Sequence, residues 1–141
     1  MKVVVIGGGA AGLIASGYSA LSGHETILLE KNEKLGKKIY ITGKGRCNVT
    51  NAVDVETFLS NVVRNSKFLM SALHSFTPSD LMTLIETYGC PLKVERGNRV
   101  FPVSDKSSDI IKSLSNFAYS SGVNVHLNTA VNKILVDNGL V

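Results

Sequence analysis

The sequence predicts an α/β chain built on a parallel sheet. Three observations near its start carry that expectation: a charge-free run, Val3-Val4-Val5-Ile6; a cluster of glycines directly after it; and a second apolar run, Thr26-Ile27-Leu28-Leu29, closed by Glu30. An unbroken β-branched run suits a strand buried on both faces of a parallel sheet. From Ala10 to Leu21 small and apolar residues recur without charge, the pattern of a buried helix, and Gly23 fits the left-handed position that closes it. Strand, glycine turn, helix and strand in such quick succession make a right-handed crossover the expected connection.

Beyond Glu30 the elements are read in order. Residues 31–53 hold many glycines, lysines and asparagines with little apolar periodicity, and read as a long ordered loop. A helical region follows over about 54–75, with Val55, Phe58, Leu59, Val62 and Val63 at helical spacing. Thr77-Pro78 opens a further helix, Thr as cap and Pro in the first turn, which stops at Gly89. Pro91 to Pro102 reads as two short strands around a turn near Gly97-Asn98. Asp105 or Ser107 can cap a helix running through Ile110, Ile111, Leu114, Phe117 and Ala118 to Gly122. Val123 to Leu127 alternates as a strand, and Val131 to Val136 reads as another before the hairpin signal Asp137-Asn138-Gly139. Leu140-Val141 barely starts the returning strand, so the chain reads as a fragment of a longer protein. The organisation expected is a βαβ unit with a cofactor loop over 1–53, a mostly helical insertion over 54–104, and a helix with returning strands over 105–141.

Composition excludes several classes. A chain of 141 residues with 44% hydrophobic and 18% charged residues can bury a core and is not a disordered tail. Its 15 basic and 11 acidic residues leave a net charge of +4. The basic residues are spread out except for Lys31, Lys34, Lys37, Lys38, Lys44 and Arg46, a candidate anion site. No RRM, KH or zinc-finger pattern accompanies that charge, so no nucleic-acid partner is expected, and phosphate on a small cofactor accounts for the cluster. Cys47 and Cys90 lie far apart and form no ligand set, so neither a disulfide framework nor a metal site is indicated. The uncharged stretch from Val3 to Gly23 is interrupted by Gly7, Gly8, Gly9, Gly12 and Gly17, each weakening a helix interior by about 1 kcal/mol. A signal or membrane span is therefore not expected, and the default is a cytoplasmic protein with no membrane partner and a small-molecule substrate.

The glycines carry the chemistry. Gly7, Gly9 and Gly12 spell G-x-G-x-x-G between a strand and a helix, where the first makes a tight turn, the second admits a pyrophosphate to the backbone and the third lets helix and strand pack closely. Free N–H groups at the helix start, aided by the helix dipole, bind the phosphates, and Ala10 and Ala11 keep that surface small. Glu30 stands eighteen positions after Gly12 (30 − 12), where a carboxylate can accept hydrogen bonds from the adenosine ribose and repel a 2′-phosphate. The dinucleotide is FAD or NAD on this motif alone. Gly36 follows Glu30 by six positions (36 − 30) in a loop that resembles the flavoprotein fingerprint, whereas an NAD-binding domain more often enters a helix there. An NAD-binding dehydrogenase domain and a non-catalytic nucleotide-binding module remain the alternatives.

The segment from Gly36 to Asn51, GKKIYITGKGRCNVTN, together with Asn98-Arg99-Val100-Phe101-Pro102, resembles the bacterial BaiN/HI0933-like, or aminoacetone oxidase-like, FAD-binding flavoproteins across essentially the whole chain. That resemblance implies a Rossmann-like domain of the glutathione-reductase type, with a parallel sheet, a helical insertion and a small β-meander. It also implies an FAD-dependent oxidoreductase of which this chain supplies the ADP and pyrophosphate site, with NAD(P)H as a candidate electron donor. The residues so expected at the cofactor are Gly7, Gly9, Ala10, Ala11, Gly12, Glu30, Lys31 and Lys38, then Thr42, Gly43, Gly45, Arg46 and Asn48, and a backbone contact to adenine near Val131. Glycines there allow close backbone approach, Arg46 offers a fork of donors and Asn48 can donate and accept. Cys47 reads as a buried structural thiol, and no catalytic acid or base is assigned among His24, His74 and His126.

Overall fold

The computed structural model describes residues 1–136 and divides into two compact units, Met1–Lys38 with the chain from Leu114 onward, and Ile39–Ser113. In chain order the elements are β1 (Lys2–Ile6), α1 (Ala10–Leu21), β2 (Glu25–Leu29), α2 (Lys37–Ile41), α3 (Val55–Ser60), α4 (Ser66–Ser75), α5 (Pro78–Thr87), β3 (Leu92–Glu95), β4 (Arg99–Pro102), α6 (Ser107–Ser120) and β5 (Asn124–His126).

The first unit is the expected Rossmann-like arrangement. β1 pairs parallel with β2 from Lys2↔Glu25 to Ile6↔Leu29, and β2 pairs parallel with β5, giving the order β1-β2-β5. The buried residues of α1 are Leu13, Ser16 and Gly17. The Phe117 ring lies where a Cβ on Gly17 would be, so the absence of a side chain on α1 there makes room for the ring from the end of α6. Phe117 is buried and stacks edge-on against Tyr18, the ring centroids 5.3 Å apart. β1 departs from the expectation of burial on both faces, for Val4 and Ile6 are 51% and 53% exposed. Among the described residues the strand is an edge, and within this unit only one of its faces is covered.

Three further expectations are corrected. Residues 31–53 are not loop throughout: α2 and a 3₁₀ turn, Thr42–Gly45, lie within them, too short to show apolar periodicity. The helical region over 54–75 is two helices, broken where Asn65 takes a left-handed conformation (φ 55°). Residues 131–136 form no strand, and Ile134, Leu135 and Val136 are exposed. Among the described residues no strand pairs with that segment, and a single strand gains no ladder hydrogen bonds. The hairpin signal at 137–139 and Leu140-Val141 lie outside the described residues.

In the second unit α5 begins with the anticipated cap, a reciprocal box in which Asp80 N–H donates to Thr77 Oγ1 (3.1 Å) and Thr77 N–H donates to Asp80 Oδ2 (2.8 Å). β3 and β4 form the expected antiparallel hairpin, with Gly97 and Asn98 both at positive φ in its turn. Neither expected cap serves α6. Ser107 is its first helical residue and donates its hydroxyl to the Tyr40 carbonyl (3.0 Å), while Asp105 is held by basic side chains. Among the described residues no helix is long and apolar enough to cross a membrane.

Candidate functional site

The carboxyl ends of β1 and β2 and the first turn of α1 border a cavity of about 600 Å³. Ligands of open parallel sheets bind at that end of the strands, and small-molecule sites run to about 300–1,000 Å³. Gly7, Gly9, Ala10, Ala11, Gly12, Glu30, Lys31, Lys38 and Val131, nine of the residues expected at a cofactor, line it together.

Each glycine of the motif is there for a separate reason. Gly7 turns the chain at φ 102°, a conformation other residues rarely adopt, and its N–H donates to the Leu29 carbonyl (2.8 Å), locking the turn to β2. A Cβ on Gly12 would overlap the Gly7 carbonyl oxygen, so α1 packs against the turn only without one. Gly9 is different: its backbone (φ −84°, ψ −173°) suits any residue, and a Cβ there would meet nothing within 4 Å. The protein itself does not require glycine at position 9. A side chain would project into open space at a residue that lines the cavity.

The start of α1 presents donors to the same space. Leu13 N–H makes the first i→i−4 bond, to the Gly9 carbonyl (2.9 Å), so the N–H groups of Ala10, Ala11 and Gly12 have no partner within the helix. No acidic side chain occupies that first turn.

Glu30 is buried, and both of its carboxylate oxygens are held. Its Oε2 accepts from Gly8 N–H (2.7 Å), and its Oε1 accepts from Asn32 N–H (2.8 Å) and the Asn32 side-chain amide (2.6 Å). Burial pushes the Glu30 pKa up, but the Asn32 and Gly8 N–H donors, the Asn32 amide and the Lys31 charge outweigh it, so the carboxyl lies below its usual range and is ionised at neutral pH. A carboxylate offers about four acceptor positions, and three are used here. The sequence motif does not point to Gly8 or Asn32. A Cβ on Gly8 would strike Leu35 and crowd Glu30, so the unbroken run Gly7-Gly8-Gly9 is the signal that could have found it.

Val131 reaches the cavity because the preceding residues are tied to the chain just after β2: Thr129 N–H donates to the Glu30 carbonyl (2.8 Å) and Asn128 N–H to the Asn32 carbonyl (3.0 Å). Lys37, named in the basic cluster though not among the cofactor residues, lines the cavity and pairs with Glu33 (3.4 Å).

Thr42, Gly43, Gly45, Arg46 and Asn48 belong to the second unit. Gly43, Lys44, Gly45 and Cys47 all have positive φ, a tightly coiled turn. Thr42 donates its hydroxyl to Ile39 O (2.7 Å), and the Asn48 amide donates to Thr50 O (2.9 Å) and Val100 O (3.1 Å), so both act as braces of this loop. Arg46 is not a free fork of donors. Its guanidinium pairs with Glu95 and with Asp105 (2.7 Å), lies 4.3 Å from the Phe101 ring centre, and is raised in pKa by those carboxylates. Lys93 completes the cluster at 2.8 Å from Asp105. Cys47 is buried, and burial pushes its thiol pKa up despite a hydrogen bond with Thr42, the state of an unreactive thiol.

A strand-turn-helix with open amide donors and an ionised carboxylate across the cavity defines a dinucleotide-binding domain of Rossmann type. Known proteins agree and go further: residues 1–141 match the HI0933-like protein Rossmann domain, and the chain belongs to that family. It is 30% identical over 135 residues to the ribosomal RNA dihydrouridine synthase of Escherichia coli K12, covering 95% of this chain and 33% of that protein. It is 32% identical over 116 residues to the 3-dehydro-bile acid delta(4,6)-reductase of Clostridium scindens, covering 80% of this chain and 27% of that protein. Among solved structures, the open conformation of a flavocytochrome c3 fumarate reductase superposes with a TM-score of 0.72 at 26% identity, over 97% of this chain and 28% of that one. The chain thus spans about a third of the length of the curated relatives it matches.

Proposed function

We propose that the cavity between β1, β2 and α1 holds the ADP half of FAD, and that this chain is the cofactor-binding part of a flavin-dependent oxidoreductase. The observation that carries the reading is Gly9, a glycine that the fold does not need and a pyrophosphate does. In this reading the N–H groups of Ala10, Ala11 and Gly12 donate to the phosphates, the free acceptor position of Glu30 takes a ribose hydroxyl, and the backbone near Val131 meets adenine. Lys31 and Lys38 offset the phosphate charge. When bound, the flavin supplies the hydride or electron transfer, and the protein supplies position and electrostatics.

The relatives' names include a dihydrouridine synthase and a bile acid reductase, so reduction of an organic acceptor is the chemistry we assign, with NAD(P)H as the electron donor. The acceptor is set by parts of the protein beyond the dinucleotide cavity. The test is the absorbance spectrum of the full-length protein, which should be yellow and release FAD on denaturation. A colourless protein that binds NADH but not added FAD would instead establish the NAD-binding dehydrogenase reading.

A further inference from the structure

In the second unit, α4 is a helix with little to hold it. It is ten residues long, its N-cap Asn65 makes no side-chain capping bond, and none of its residues is buried among the described residues. α3 is its main neighbour, and Leu69 and Leu73, four positions apart, are only half-buried. Phe68 is 85% exposed, Met70 is about half exposed, and Val63, between α3 and α4, is 94% exposed. An isolated helix shorter than about 12–15 residues is marginal in water and takes its stability from an apolar face that packs. Single exposed apolar residues are ordinary on a surface. A short, uncapped helix with Phe68 outward and nothing buried is not ordinary, and a cover over it supplies the packing that α3 alone does not.

Charge along this stretch has one sign. From Thr57 to Ser79 there is no Asp or Glu, whereas Arg64 and Lys67 lie within it. Both are exposed, and neither makes an ion pair among the described residues. Lys67 also stands in the first turn of α4, where the helix dipole disfavours a cation. A carboxylate on the covering surface would offset both effects. The cover must be present whenever the helix is. A second copy or a dissociating partner would leave α4 bare in dilute solution, whereas a segment of the same polypeptide acts at an effective concentration on the order of millimolar. The curated relatives carry two thirds or more of their length outside the matched part, enough chain to supply such a segment.

We propose that, in the full-length protein, a segment of the same polypeptide outside residues 1–141 packs on α4, apolar over Phe68 and acidic beside Lys67. The surface does not involve the dinucleotide cavity and is independent of the flavin reading. In the full-length protein p-benzoylphenylalanine replaces Phe68, the sample is irradiated, and the adduct is mapped by mass spectrometry. An adduct of monomer mass that joins this position to a peptide outside residues 1–141 is expected. Phe68→Ser should lower the urea midpoint by roughly 1 M at every protein concentration, whereas loss of a surface phenylalanine would barely move it. Lys67→Glu tests the sign of the charge. On a bare helix a carboxylate in the first turn is stabilising, so the midpoint would rise; against an acidic cover it should fall, and fall less in high salt. If Phe68→Ser does not fold, the adduct and Lys67→Glu still decide. An adduct of dimer mass, which identifies a second copy, overturns the proposal, as does an adduct confined to residues 1–141 or no protein adduct at all. A Phe68→Ser midpoint equal to the parent's, or a Lys67→Glu midpoint that does not fall, overturns it too.

Discussion

At the scale of single residues, glycines at positions 9 and 12 make opposite predictions although both belong to one motif. Gly12→Ala forces a methyl group into the Gly7 carbonyl and should destabilise the protein by about 1–3 kcal/mol, read from the urea midpoint. Gly9→Val meets no protein atom and should leave that midpoint unchanged. Glu30 adds a pH dependence of known sign. Its folded pKa is lowered from the ordinary value, so its contribution is fully present above that ordinary value and is lost as pH falls through the folded pKa. Glu30→Gln should therefore be less stable than the parent at pH 7, and the two curves should converge under acid. Equal midpoints at pH 7 would show that the bonds from Gly8 and Asn32 contribute nothing net.

At the scale of elements, α6 holds the first unit through Phe117, which fills the space vacated by Gly17 on α1. Phe117→Ala should cost about 3–5 kcal/mol by opening a cavity at that crossing, measured by thermal or urea unfolding. Thr77→Val removes the reciprocal cap of α5 and should cost about 1 kcal/mol. Elements such as these were legible in the sequence because their signals are local: the β-branched run of β1, the Thr-Pro start of α5 and the Gly97-Asn98 turn each need only a few adjacent residues. Elements whose form depends on distant partners were not. The α2 turn has no apolar period of its own, the break between α3 and α4 falls at residues 61–65 and ends in the left-handed Asn65, and residues 131–136 have strand composition but nothing among the described residues to pair with. The site divides the same way. Strand, glycines and terminal acid are contiguous enough to read, whereas the pairing of Arg46 with Glu95 and Asp105 spans 49 and 59 positions and no local pattern announces it.

At the scale of the whole molecule, the chain is a Rossmann-like domain of the HI0933-like family that covers about a third of its curated relatives. The exposed apolar residues Val4 and Ile6 lie on an edge strand, while the cavity beside that strand is already formed. On the proposed reading, cofactor affinity and fold stability part at Gly9, where a Cβ would meet no protein atom. The decisive measurement is the FAD content of the full-length Gly9→Val protein beside its parent, each purified folded. The account predicts a parent that carries FAD and a variant with the same unfolding midpoint that carries almost none. A variant that retains its FAD in full would contradict the placement of the pyrophosphate against this turn.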